Sequence, residues 1–164
     1  MRNAMRQTVP TVGSIIWLVL GAVSLIGIYN RIGGGDFLRD LLGSLDIAPI
    51  MVIVVMMLIV MVLGTFLEWI AIIFITVPIF APVVADLGFD PVWFGVLFAM
   101  NIQIYYLSPP FGPACFFLKS VAPKEIELQD IFVAVLPFIA LQVVGLFLVL
   151  FIPELALWLP SMLD

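Results

Sequence analysis

The chain has 164 residues, of which 65% are hydrophobic and only 10% are charged, and its formal net charge is −5. Soluble domains are about half apolar and about a quarter charged, so this composition excludes a soluble domain and indicates an integral membrane protein. Six Lys and Arg residues, spread singly, do not form the basic surface that nucleic-acid binding needs. Histidine is absent and Cys115 is the single cysteine, which excludes His-based metal sites and an intrachain disulfide.

The first spanning helix is predicted over residues 12–29, an uncharged apolar run long enough for a bilayer of about 30 Å. Residues 30–46 are polar and contain three consecutive glycines. Because apolar residues recur there at helical spacing, this stretch is predicted to be a loop or a short interfacial helix.

Residues 47–85 are apolar and carry one charge, Glu68. On length alone this stretch could form two membrane-spanning helices. Gly64 and Thr65, just before Glu68, mark a turn that would instead produce a re-entrant hairpin. Both alternatives are open at the level of the sequence.

A broken helix is predicted over residues 91–121. Three prolines and one glycine lie between Ser108 and Pro113, and proline cannot continue a helix because it lacks the amide donor. Within a bilayer, broken backbone occurs only where it is buried in protein or lines a polar cavity. Such breaks are typical of the ion and substrate sites of secondary transporters. The last spanning helix is predicted over residues 131–152.

The orientation follows from the positive charges, which are enriched on the cytoplasmic side of membrane proteins. With the N-terminus in the cytoplasm, four of the six cations lie inside, namely Arg2, Arg6, Lys119 and Lys124. A hairpin over residues 47–85 then opens to the outside.

Three polar residues before the break share one helix face, because Asn101, Tyr105 and Ser108 are spaced i, i+4 and i+7. Freed carbonyls, an amide and a hydroxyl suit a hard cation such as Na⁺. The alternative for these side chains is hydrogen bonding between helices. Glu68 is interpreted either as an intramembrane acid that couples protons or cations, or as a turn residue at the aqueous boundary.

An enzyme is not predicted. The Gly-x-Gly-Asp pattern at Gly33 to Asp36 resembles intramembrane aspartyl proteases, but such catalysis needs a second aspartate within the membrane. The sequence has no aspartate in the middle of an apolar helix and no histidine for a serine-type site. No cofactor is predicted, apart from Na⁺ as a coupling ion.

Five short stretches follow one another in a characteristic order. They are 64–69 (GTFLEW), 77–82 (VPIFAP), 88–95 (GFDPVWFG), 101–103 (NIQ) and 108–112 (SPPFG). Together they resemble the C-terminal half of the large membrane subunit (DctM-like) of TRAP transporters, over roughly residues 45–160. Trp69, Gln103 and the Pro-Pro-Phe-Gly-Pro run resemble the members of this family that handle mannitol or chloroaromatic compounds.

The resemblance implies a fold and a function. The fold would be one inverted-repeat half of an elevator-type protein of the ion transporter superfamily, with a re-entrant hairpin and a broken helix. The function would be Na⁺-coupled uptake of organic acids or similar small solutes across the bacterial cell inner membrane. The partners would be a periplasmic solute-binding protein, a small DctQ-like membrane subunit and the N-terminal repeat of the large permease.

The resemblance also implies that ion sites lie at the hairpin tip and at the unwound segment, where family members use backbone carbonyls and hydroxyls. Combined with the polar residues above, this gives one candidate ion- or substrate-binding site. Its residues are Gly64, Thr65, Glu68, Asn101, Ser108, Pro109, Pro110 and Gly112. Na⁺ is expected near Gly64, Thr65, Ser108 and Gly112.

The length departs from the family pattern, because the large subunit is more than twice as long as this chain. We therefore expect a C-terminal fragment, or a half that pairs with another chain, which would not transport alone. Two other functions are consistent with the sequence. One is a different inverted-repeat ion or organic-anion symporter, and the other is a membrane subunit that only packs against its partners.

Overall fold

The computed structural model describes residues 2–37, 40, 47–109, 112–123 and 125–162, and only the backbone of residues 2–7 and 11. This part of the chain is helical and contains no strand, which confirms the prediction of an all-α membrane protein. Its α-helices are α1 Arg2–Arg31, α2 Pro49–Gly64, α3 Trp69–Asp86, α4 Pro91–Leu107, α5 Pro113–Val121, α6 Leu128–Phe151 and α7 Glu154–Leu157. A 3₁₀ turn, Pro160–Met162, follows. The predicted interfacial segment 30–46 lies partly outside the described residues.

The helices fall into two length classes. Among the described residues, Thr8–Arg31 within α1, Trp69–Asp86 and Leu128–Phe151 are long and apolar enough to cross a membrane. Helices α2 and α4 have 16 and 17 residues, which corresponds to about 24 Å and about 26 Å at about 1.5 Å per residue. A hydrocarbon core is about 30 Å thick, so α2 and α4 would end inside it. Because α3 is long enough to span and α2 is shorter, both alternatives for residues 47–85 stay predictions.

Proline and one aspartate fix where the inner helices begin. Pro49, Pro91 and Pro113 each occupy the first turn of a helix, where the missing N–H costs no hydrogen bond. Asp90 also caps α4, because its Oδ1 accepts hydrogen bonds from the backbone N–H groups of Val92 (2.7 Å) and Trp93 (3.2 Å). The start of the broken helix is therefore determined by local sequence.

The apolar core lies between α2, α3 and α4. Ile53 and Val60 from α2, Ile72 from α3 and Leu97 from α4 are fully buried in one cluster. Helix α1 contacts α3, and α6 contacts α4. The hairpin and the broken helix thus form the inner part of the molecule, and α1 and α6 flank it.

A side-chain hydrogen bond joins the beginning of α4 to the end of α6. The indole Nε1 of Trp93 donates to the Val149 carbonyl oxygen at 2.7 Å. In a regular helix this carbonyl would accept from residue 153, but Pro153 has no N–H. Trp93 therefore satisfies a carbonyl that the following proline leaves free, and the ends of the two helices are held together.

Candidate functional site

The first part of the candidate site is the tip between α2 and α3. The backbone N–H of Thr65 donates to the Val62 carbonyl at 3.1 Å, and its hydroxyl Oγ1 donates to the same carbonyl at 2.7 Å. Thr65 is half-buried. Glu68 begins α3, its side chain makes no capping hydrogen bond, and it is exposed. The tip is therefore a tight turn that presents a hydroxyl oxygen and a carboxylate.

The second part is the break between α4 and α5. Ser108 leaves the helix in an extended conformation (φ −79°, ψ 137°), and its hydroxyl donates to the Ile104 carbonyl at 2.6 Å. Gly112 is buried, and a Cβ atom there would lie 2.8 Å from the carbonyl carbon and oxygen of Leu107. Only glycine allows the chain to return this closely to the end of α4. Pro109 is exposed in the turn, and the predicted site residue Pro110 lies outside the described residues.

The end of α2 and the last turn of α4 are in contact. A Cβ atom on Gly64 would lie 2.4 Å from Cγ of Tyr105, so the aromatic ring lies flat against the glycine backbone. Tyr105 lies in the last turn of α4, two residues before its end, and is 4% exposed. Glu68 follows Gly64 by four residues and begins α3. The structure therefore brings Gly64 next to the last turn of the broken helix.

Asn101 links the same two elements deeper in the core. Its side chain is 0% exposed, and its Nδ2 donates to the backbone carbonyl of Met57 in α2 at 2.8 Å. This is the interhelical hydrogen bond that was the alternative to a direct ion contact. The Asn101 Oδ1 atom is buried and has no hydrogen-bond partner among the described residues.

Sequence reasoning placed Tyr105 on the polar face of α4 but did not include it in the site. Its hydroxyl is also buried without a hydrogen-bond partner in the described part of the chain. Gln142 of α6, whose Oε1 shares this property, was not identified as a site residue at all. Helical spacing predicts which residues share a face of one helix. The contact of Tyr105 with Gly64 depends instead on how α2 packs on α4.

The chemistry available at the tip and the break is that of neutral oxygen atoms and one carboxylate. The hydroxyl hydrogens of Thr65 and Ser108 are used within their own helices, so the oxygen lone pairs are free to accept. Residues 47–118 contain no Lys, Arg or His. Within the described ranges, no group of three or more His, Cys, Asp or Glu side chains could hold a metal ion. The oxygen atoms available to a cation here are those of carbonyls, hydroxyls and the Glu68 carboxylate.

In this all-helical membrane protein, α2 ends against a helix that proline breaks. Discontinuous helices of this kind are typical of secondary transporters, which is the class of protein that the fold indicates. Comparison with known proteins gives the family. Residues 1–155 match the model of "Tripartite ATP-independent periplasmic transporter, DctM component". The chain belongs to this DctM family, which confirms the resemblance to the large permease of TRAP transporters.

Individual relatives agree with the family. The chain is 30% identical over 158 residues to the sialic acid TRAP transporter large permease protein SiaM of Vibrio cholerae, covering 96% of this chain and 36% of the relative. It is 34% identical over 120 residues to the C4-dicarboxylate TRAP transporter large permease protein DctM of Pseudomonas aeruginosa, covering 73% of this chain and 28% of the relative. No solved structure matches.

The chain thus spans about a third of the length of these curated relatives. The relatives are permeases, so the prediction of a transport protein rather than an enzyme is confirmed at the level of the family. The predicted mannitol or chloroaromatic subtype stays a prediction.

Proposed function

We propose that this chain forms the C-terminal half of the membrane pathway of a TRAP transporter and takes part in Na⁺-coupled uptake of organic acids or similar small solutes. The observation that carries this proposal is the contact of the end of α2 with the last turn of α4, where Gly64 lies against Tyr105. In secondary transporters the coupling ion and the solute bind where helices are interrupted. Here two helices make contact at the ends that precede their interruptions.

The oxygen atoms at this place support Na⁺ as the coupling ion. The hydroxyls of Thr65 and Ser108 each donate to a carbonyl of their own helix, which turns their lone pairs away from that helix. Pro113 has no N–H, so the Pro109 carbonyl lacks the donor that a continuous helix would supply. Hard cations prefer such neutral oxygen ligands, and a charged cluster is not required.

The surroundings of the chain belong to the proposal as well. We place it in the bacterial cell inner membrane as a multi-pass protein, with the α2–α3 hairpin opening to the outside. A periplasmic solute-binding protein would deliver the solute, and a small DctQ-like subunit and an N-terminal repeat would complete the pathway. An elevator motion would carry the tip and the break across the membrane together, because the helices that precede them, α2 and α4, pack in one core.

Substitutions at the break test the proposal in membrane vesicles that contain the whole transport system. We expect Ser108→Ala and Gly112→Leu to raise the Na⁺ concentration for half-maximal uptake by about tenfold, because each alters oxygen atoms at the break. Ser120→Ala is the matched control, since its hydroxyl makes the same kind of local bond, to Phe117, at the exposed far end of α5. Unchanged Na⁺ activation in both variants would remove the break from the ion site.

Accessibility to water separates a transport pathway from a subunit that only packs. In a Cys115→Ser background, a cysteine at Ser108 or Thr65 should react with a membrane-impermeant thiol reagent, and Na⁺ should slow the reaction. A cysteine at Leu97, which is fully buried in the apolar core, serves as the unreactive control. Equal inertness of all three positions would favour the packing subunit.

A further inference from the structure

The hydroxyl of Tyr105 is costly where it lies. It is buried, and it has no hydrogen-bond partner among the described residues. Buried polar groups are almost always paired, because an unpaired group loses its bonds to water without replacement. Phenylalanine would fill the same space without this cost, so the hydroxyl calls for a partner that the described residues do not supply.

The position of that hydroxyl is set by the packing around it. The ring lies on Gly64, where any larger side chain would displace it. One turn earlier, Asn101 holds α4 to α2 through the Met57 carbonyl. The two contacts fix the tyrosine ring against the end of α2, and Glu68 follows that end by four residues.

The charges nearby restrict what the hydroxyl can bind. Glu68 is the only charged side chain at the tip and the break, and no Lys, Arg or His lies within residues 47–118. A carboxylate approaching this side would meet a like charge and find no cation. A hydroxyl group would find a tyrosine that both donates and accepts, and a carboxylate that accepts.

We propose that Tyr105 is a solute-binding residue whose hydroxyl hydrogen-bonds an uncharged, hydroxyl-bearing part of the solute, while Glu68 keeps carboxylates away from this side. The inference rests on the proposed transport function and adds the chemical class that this half of the pathway recognises. A solute with an acidic group would turn that group away from residues 47–118, which contain no cationic side chain.

Uptake kinetics of Tyr105→Phe test the inference in vesicles that contain the whole transport system. The probes are sialic acid and mannitol, which carry several hydroxyls, and succinate, which carries none. The wild type should prefer a hydroxyl-bearing probe over succinate, and Tyr105→Phe should raise the KM for that probe about tenfold at unchanged protein level. Tyr106→Phe, the neighbouring half-buried tyrosine of the same helix, is the matched control and should change little.

The outcomes separate the inference from the proposed function. Na⁺-dependent uptake by the wild type with an unchanged KM in Tyr105→Phe would overturn the role of Tyr105 and leave the proposed function standing. A preference for succinate would also overturn it. Absence of Na⁺-dependent uptake of all three probes by the wild type would overturn both.

A disulfide tests the geometry independently of transport. Adding about 1.5 Å for one C–C bond to the 2.4 Å approach, the Cβ atoms of residues 64 and 105 would lie within about 4 Å of each other. Disulfides form at Cβ separations of about 3.5–4.5 Å. Gly64→Cys with Tyr105→Cys, in a Cys115→Ser background, should therefore lose both free thiols on mild oxidation. Pairing Tyr105→Cys with Gly21→Cys of α1, which has no neighbour within 4 Å, is the control. If the thiols of the Gly64→Cys and Tyr105→Cys pair stay free, the contact between residues 64 and 105 is overturned.

Discussion

Two regions of this molecule are both strongly apolar in sequence and differ in what surrounds them. In the most apolar window of α3, 28% of the residues are buried within the chain, whereas for α1 and α6 the value is 6%. The inner region (α2, α3 and α4) carries the buried Asn101 and Tyr105 side chains, the Gly64–Tyr105 contact and the turn between α2 and α3. The outer helices α1 and α6 present most of their surface outward. Hydrophobicity therefore places both regions in the membrane, and among the described residues the inner region holds most of the buried core.

The largest expected loss of stability is that caused by Gly64→Leu, because the new side chain must displace the Tyr105 ring. Overpacking of a well-packed core costs about 1–3 kcal/mol, and we expect the upper end here. Cys115 is buried and is the only cysteine, so its labelling by a thiol-reactive fluorophore on heating reports unfolding. Gly21→Leu in the outer region, with no neighbour within 4 Å, should leave the transition nearly unchanged. Equal shifts for both variants would erase the distinction between the two regions.

An intermediate loss of stability is expected for Asn101→Ala, which removes the hydrogen bond to the Met57 carbonyl. Hydrogen bonds between membrane helices contribute about 0.6–2 kcal/mol, and a small cavity adds to the loss. The same labelling of Cys115 measures the change. Ser24→Ala is the counterpart in α1, where the hydroxyl is exposed and bonds only to Leu20 of its own helix. A loss at Ser24 as large as that at Asn101 would contradict the assignment of the core.

The smallest expected difference concerns two tryptophans. Trp93 is 1% exposed and donates to Val149, while Trp17 of α1 is 77% exposed. Trp93→Phe should destabilise the protein by about 1 kcal/mol, because the Val149 carbonyl loses its donor. Trp17→Phe should change stability by less than about 0.5 kcal/mol. Thermal unfolding of both variants in detergent measures the two losses of stability. A larger loss for Trp17→Phe than for Trp93→Phe would contradict the distinction between the two regions.

Much of the site could be predicted from local sequence. The run from Ser108 to Pro113 cannot be helical, and Gly64 and Thr65 mark the end of a helix, because these effects depend on backbone chemistry alone. The roles within the site could not be predicted in the same way. Asn101 and Ser108 share a helix face, yet Asn101 bonds to α2 and Ser108 bonds to its own helix.

The start of α1, at Arg2 and not at residue 12, was not predicted. The sequence by itself did determine that this is an all-helical membrane protein and where one of its helices breaks. Composition and proline positions are sufficient for these features, since each acts within a few residues of the chain. The tertiary structure alone decided that Gly64 seats Tyr105 and that Trp93 satisfies the carbonyl freed by Pro153. These contacts join residues that are 41 and 56 positions apart, and they depend on the rotation and depth of each helix against its neighbour. In a uniformly apolar environment, hydrophobic patterning carries little information about either.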